Sequence, residues 1–228
     1  MISRSLRRAA VCMLLGISAA SAASATTVTV LMTGTLTAVD DSNSVTDGSL
    51  TFGVPYSLTL SYDDTVSDSD SDPLFGTYLV PAATASYGVV VGNYRFESGG
   101  ILNVGLLDGF FDPSEDTLSW FADQFTNSGV LDPGVSFAPF GYSNIALYDY
   151  TGTALSSDDL TDANWDRSHY ASDNQAFYLF LEVLDPRTAG QDYVELVGTI
   201  DLMTVLPEPS TIWLLALGSF ALVRRRQR

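Results

Sequence analysis

Lysine is absent from this 228-residue chain, and cysteine and histidine occur once each. Each shortage removes a chemistry. The single Cys12 falls in an apolar N-terminal stretch, so the rest has no disulfide, thiol nucleophile or cysteine-based zinc site. His169 has no Gly-x-Ser-x-Gly elbow to serve, and being next to Ser168 in sequence does not set a hydroxyl against its ring. A serine triad and a zinc centre are both poorly supplied. Positive charge is scarce too. Of ten arginines only Arg95, Arg167 and Arg187 lie between residues 26 and 206, against 26 of the 27 acids, a formal charge of −23 for that stretch. Such a field repels nucleic acid and anionic lipid, and favours cations or simply solubility.

The remaining arginines sit at the ends. Arg4, Arg7 and Arg8 precede an apolar run from Ala9 to Ala20, and Ala23-Ser24-Ala25 follows as a small-x-small pattern. That order is the order of a secretory signal, with signal peptidase expected to cut after Ala25, or after Ala23 nearby. At the other end Leu206-Pro207-Glu208-Pro209-Ser210-Thr211 leads into the 12-residue apolar run Ile212 to Val223, and then into Arg224, Arg225, Arg226 and Arg228. The run is shorter than the roughly 17–25 residues that span a bilayer. The prolines separate it from what precedes, and the arginines hold its end on the cytoplasmic side, where their long stems can snorkel.

Pro207-Glu208-Pro209, the apolar segment and the arginine tail resemble the PEP-CTERM sorting signal. The resemblance implies a Gram-negative exopolysaccharide producer and processing near the Pro-Glu-Pro by a membrane exosortase. Pro207, Glu208 and Pro209 are then recognition residues for another enzyme. The expected organisation is a signal peptide over 1–25, a body over 26–205 and the sorting signal over 206–228, with a helix flanking the body on each side.

Period-two alternation runs through the body. Tyr56, Leu58, Leu60 and Tyr62 share one face of a strand, and Ser57, Thr59 and Ser61 share the other. Strands are predicted at 27–36, 55–62, 75–80, 84–91, 93–97, 100–107, 117–125, 144–150, 175–184 and 193–204, separated by turn-rich segments such as Asp132-Pro133-Gly134. One short helical turn fits Ser157 to Asp166, with Ser157 as N-cap. The fold class is all-β: an antiparallel β-sandwich or jelly roll of about ten strands. The stretch from Phe52 to Asp63, Tyr78, and Leu155 to Leu160 are similar to domains carried by PEP-CTERM proteins, which generally lack an assigned activity.

Three ligand chemistries remain. Asp63, Asp68, Asp70 and Asp72 concentrate carboxylates that suit calcium, although Pro73 stands where an EF-hand needs glycine; Asp158, Asp159 and Asp162 form a weaker cluster. Glu182 and Glu195 each interrupt a strand and are the better candidates for the carboxylate pair of a glycosidase. Trp165 and Tyr170, with Trp120, Tyr142, Tyr148 and Tyr150, offer aromatic faces for sugar, with core packing as the alternative for each. The leading expectation is a non-catalytic exported protein of the cell surface or extracellular matrix, associated with exopolysaccharide. Its other partners would be signal peptidase, exosortase and, transiently, the inner membrane. A carbohydrate-binding or glycosidase module and a calcium-dependent adhesive domain are the alternatives.

Overall fold

The computed structural model describes residues 27–72, 74–108, 115–128, 134–171, 177–188 and 192–207. The signal segment with Ala23 and Ala25, Glu208 and Pro209 of the sorting motif, the apolar run and Arg224, Arg225, Arg226 and Arg228 lie outside the described residues, as do the expected flanking helices.

Eleven strands follow in chain order: β1 (Thr27–Asp41), β2 (Pro55–Asp63), β3 (Phe75–Val80), β4 (Ser86–Val91), β5 (Tyr94–Ser98), β6 (Leu102–Asp108), β7 (Asp116–Asp123), β8 (Phe125–Ser128), β9 (Ser136–Asp149), β10 (Phe177–Leu184) and β11 (Asp192–Leu206). They form a single sheet in the order β3-β6-β7-β9-β10-β11-β1-β2-β4-β5-β8, and each neighbouring pair is antiparallel. The alternation seen in sequence sets which side is buried. In β2, Tyr56, Leu58, Leu60 and Tyr62 are buried, with the serines and threonine between them turned outward.

A sheet this wide must curl, and this one folds back on itself. Tyr87 on β4 hydrogen-bonds Ser143 on β9 at 2.6 Å. Phe96 on β5 meets Phe137 on β9 edge-on at 5.6 Å, and Tyr56 on β2 stacks on Phe177 of β10 at 4.4 Å. Strands far apart in the sheet order therefore face one another across one core, which is the layered packing expected of a sandwich, made from one continuous sheet. The turn is made in the long strands β1 and β11, whose register shifts between Thr33 and Gly34 and again between Leu36 and Ala38. Bulges of this kind bend a strand and tighten its twist. Glycine is required at the bend. A Cβ on Gly34 would stand 1.7 Å from the Thr199 carbonyl oxygen, and one on Gly198 would stand 2.7 Å from the Tyr56 ring. Tyr56 lies against that bare backbone and donates its hydroxyl to the Thr199 carbonyl at 2.7 Å.

Three local expectations change. The strand predicted at 144–150 begins at Ser136; its pairing with β10 shifts register between Phe137 and Gly141 and its buried phase changes there, so the alternation read from 144 does not carry back through the start of the strand. The segment 117–125 is two strands broken at Gln124, whose φ of 55° turns the chain out of β7 into β8. The helical turn is a 3₁₀ turn at Leu160–Asp162 capped by Asp159, which accepts from the Thr161 amide; Ser157 instead accepts from the Asp159 amide.

Candidate functional site

The start of β1 and the end of β11 meet at one pole. β1 starts at Thr27, two residues after Ala25, and pairs antiparallel with the end of β11: Thr29 faces Leu206 and Val30 faces Val205. β11 is in strand conformation up to Leu206, next to Pro207. Five residues, Pro207 to Thr211, separate that strand from the apolar run. A chain of five residues reaches at most about 18 Å. Leu202, Val205 and Leu206 are exposed at this pole.

The predicted calcium ligands Asp63, Asp68, Asp70 and Asp72 each accept hydrogen bonds from nearby amides. Asp63 accepts from the amide and hydroxyl of Thr65. Asp70 accepts from the amides of Ser71 and Asp72, and Asp72 from that of Leu74. Asp68 accepts from the amides of Asp70 and Thr77, both through Oδ1. Among the described residues no group of three or more His, Cys, Asp or Glu side chains is set to hold a metal ion. What Asp68 does is cover an edge. Among the described residues β3 is paired on one side only, and Thr77 on its other side gives its amide to Asp68 while its carbonyl accepts from Ser69. An occupied edge offers no template to another strand.

Trp165 and Tyr170 are structural in placement. Trp165 is half-buried, stacked on Trp120 at 4.7 Å with Tyr62 at 6.0 Å. Tyr170 is buried and donates to the Asn164 carbonyl at 2.8 Å. Between them Arg167 gives three hydrogen bonds to carbonyls of Ile200, Tyr170 and Ala171, which ties this loop to β11. His169 is exposed in the same loop. Tyr78 joins two of the stretches that resembled PEP-CTERM body domains: its hydroxyl donates to the Asp158 carbonyl at 2.7 Å and accepts from the Leu160 amide at 3.1 Å. Burial pushes that hydroxyl up to about 12. Gly76 makes room, since a Cβ there would stand 2.3 Å from the Asp158 carbonyl oxygen.

Sequence reasoning passed over two arrangements. The first is a pair of buried aspartates, Asp116 on β7 directly opposite Asp149 on β9, exposed by 1% and 2%. Asp149 receives hydrogen bonds from the amides of Thr151, Thr153 and Ala154 and from the hydroxyls of both threonines. Burial opposes its charge, but these donors outweigh it and hold the carboxyl down at about 2. Asp116 has one oxygen on the Leu155 amide and the other without a partner. Desolvation, joined by the charges of Asp108 and Asp149, pushes its carboxyl up. Both hold the base of the 150–155 turn. The motif Asp149-Tyr-Thr-Gly-Thr153 carried the signal, as an Asp followed by threonines at the end of a strand.

The second is a row of rings on the outer surface of the sheet. Phe121 on β7 lies 5.9 Å from Tyr142 on β9, Tyr142 lies 5.5 Å from Phe180 on β10, and Phe180 lies 5.6 Å from Tyr193 on β11. Tyr178 flanks the row, 5.6 Å from Tyr142. Glu195, opposite Phe180, interacts with the Tyr178 hydroxyl, and Glu182 lies opposite Tyr193. Burial, Tyr142 and Glu195 together push the Tyr178 hydroxyl up. Tyr193 donates to Asp40 of β1 at 2.9 Å, which raises its own hydroxyl. Glu182 and Glu195 thus lie on one outer face, two residues out of register on neighbouring strands. Each of these aromatics occupies the outward phase of its strand; their adjacency depends on a strand order that sequence does not reveal.

No curated protein and no solved structure matches the chain. Residues 205–227 match the PEP-CTERM protein-sorting motif. The chain is therefore consistent with a PEP-CTERM exosortase substrate: an exported protein, sorted to the cell surface and processed at its C-terminus.

Proposed function

We propose that the β body is non-catalytic cargo of this sorting route, presented at the envelope or in the exopolysaccharide layer after two cuts. The observation that carries this reading is the direct junction of the sorting motif to β11, with the start of β1 paired beside it. Both leader and tail leave the same pole, so the folded body stands against the bilayer on a short tether until the exosortase acts. The cut need not disturb the fold, because the last strand ends before the Pro-Glu-Pro. Its own acids support a binding or structural role: the buried pair, Asp116 and Asp149, is engaged by backbone amides.

Mass spectrometry of the protein from membrane, culture fluid and matrix tests this reading. A mature chain starting near Thr26 and ending between Pro207 and Ser210, recovered outside the cell, is the expected result. A chain that keeps Ile212 to Arg228 and stays in the membrane overturns it.

A further inference from the structure

We infer that the free edge of β11 from Leu202 to Leu206 is a docking strip for the exosortase, so that recognition of this cargo reaches upstream of the sorting motif into the folded body. The inference rests on the processed-cargo reading above and adds to it where the enzyme holds the body.

β11 changes character after Ile200. From Val194 to Gly198 it is paired on both sides, by β10 and by β1. The Ile200 carbonyl is taken by Arg167. Asp201 is the extra residue of a register shift, since Gly34 faces Ile200 and Thr33 faces Leu202. A bulge of this kind kinks the strand. Beyond it, among the described residues, Leu202 to Leu206 have β1 as their only strand partner. A five-residue strip therefore presents one backbone edge outward.

This edge is treated unlike that of β3. Thr77 on β3 is covered by Asp68 and Ser69. Leu202 to Leu206 and their partners Thr29 to Thr33 instead carry no charged side chain, in a body with 26 acids. Leu202 is 55% exposed, Val205 48% and Leu206 38%, and of the five only Met203 is buried. An exposed apolar edge invites pairing with another chain, and proteins normally block it. Leu202, Thr204 and Leu206 follow one another on one face of the strand. An extended partner laid beside them gains main-chain hydrogen bonds from the edge and specificity from pockets for these alternate side chains. Continuity names the partner. Val205 and Leu206 already belong to the matched sorting motif, residues 205–227, and Pro207 follows without a break. The enzyme that reads the motif meets the strip as the next residues upstream. Docking by strand addition leaves β11 paired to β1, so the body stays folded through the cut.

Pulse-chase of the full chain in cells that carry the exosortase, with precursor and mature forms separated on gels, tests the inference. Leu202→Asp lies outside the matched motif and should slow processing about 10-fold, the effect of losing one buried leucine contact. Leu202→Met should run at the parent rate. Leu184→Asp, at a leucine of β10 that is 52% exposed, should also be processed like the parent. Inserting Gly-Ser-Gly-Ser between Leu206 and Pro207 separates strip from motif and should slow processing by a similar factor. An enzyme that reads only Pro-Glu-Pro on a loose tether would cut this insertion variant at the parent rate or faster. Circular dichroism melting separates lost docking from lost fold; where Leu202→Asp melts early, the insertion variant decides, because its β11 is unchanged. Parent-rate processing of the insertion variant, or of a folded Leu202→Asp, overturns the inference. So does a mature protein that dimerises in size-exclusion chromatography, while Leu202→Asp stays monomeric and is processed normally, because the strip then serves a second copy. These outcomes leave the processed-cargo reading standing. A parent chain that keeps its tail overturns that reading and this inference with it.

Discussion

The loop at residues 63–72 and the turn at residues 149–155 are both built around aspartate, and they do opposite things. The first holds five acids, all on exposed or half-buried positions; Asp63, Asp70 and Asp72 accept from amides a few residues away and Asp68 also from the edge of β3. The second depends on two carboxylates, Asp149 and the facing Asp116, which are almost wholly buried. Acid density made the first loop conspicuous in sequence. Burial makes the second matter. A carboxylate in water exchanges one set of hydrogen bonds for another at little net gain, whereas a buried one must be fully satisfied or it costs the fold.

The largest expected effect follows from removing the satisfied member. Asp149→Ala strands the amides of Thr151, Thr153 and Ala154 at the end of β9 and should cost about 4 kcal/mol. A lower urea midpoint with unchanged slope would show it. A loss below about 1 kcal/mol would mean the turn holds itself and the comparison is wrong. At the bend of the sheet, Gly34→Ala is expected to cost about 3 kcal/mol because its methyl meets the Thr199 carbonyl; the same urea titration reads it, and a neutral result would show that β1 and β11 can part there.

The pH dependence sharpens the contrast within the buried pair. Asp149 has its folded value, about 2, below its unfolded 3.8. Its contribution is therefore present above about pH 4 and lost as pH falls through 2. That shift corresponds to about 2 kcal/mol. Asp116 is displaced the other way from 3.8, so it penalises the folded state at neutral pH and the penalty is relieved as the pH falls through its folded value towards 3.8. The stability difference between the parent and Asp149→Asn should shrink from pH 5 to pH 2, a measurement in which the other acids cancel. Asp116→Asn should instead stabilise at pH 7, by about 1 kcal/mol, since it removes a buried charge with one unpartnered oxygen. A destabilised Asp116→Asn would show that the charge is used.

Much of this was readable before any coordinates. Strand phases followed from alternation, as in Tyr56 to Tyr62, and the sorting signal from three elements in fixed order. Strand neighbours were not readable, because register and order come from packing between segments far apart in the chain. Phe121, Tyr142, Phe180 and Tyr193 are spread over more than seventy positions and become one row only in the folded sheet. The stacking of Trp165 on Trp120 was hidden for the related reason that the two lie far apart in sequence. Asp149 was hidden by its type: among 27 acids nothing in composition separates the buried from the solvated.

The smallest effect belongs to the conspicuous loop. Asp70→Ser and Asp72→Ser each remove local turn bonds in solvent and should shift stability by no more than about 0.5 kcal/mol. Asp68→Ser should cost about 1 kcal/mol, because Thr77 on the open edge of β3 then has only water for its amide. The loss that matters there is protection: Leu79, exposed on β3, would lie beside an unblocked strand edge, and light scattering should show concentration-dependent association of Asp68→Ser that Asp70→Ser lacks. Adding calcium to the parent discriminates the two roles directly. If the carboxylates serve amides, millimolar calcium leaves the melting temperature where it was; a rise abolished by Asp68→Ser would give the loop back its claim to a metal.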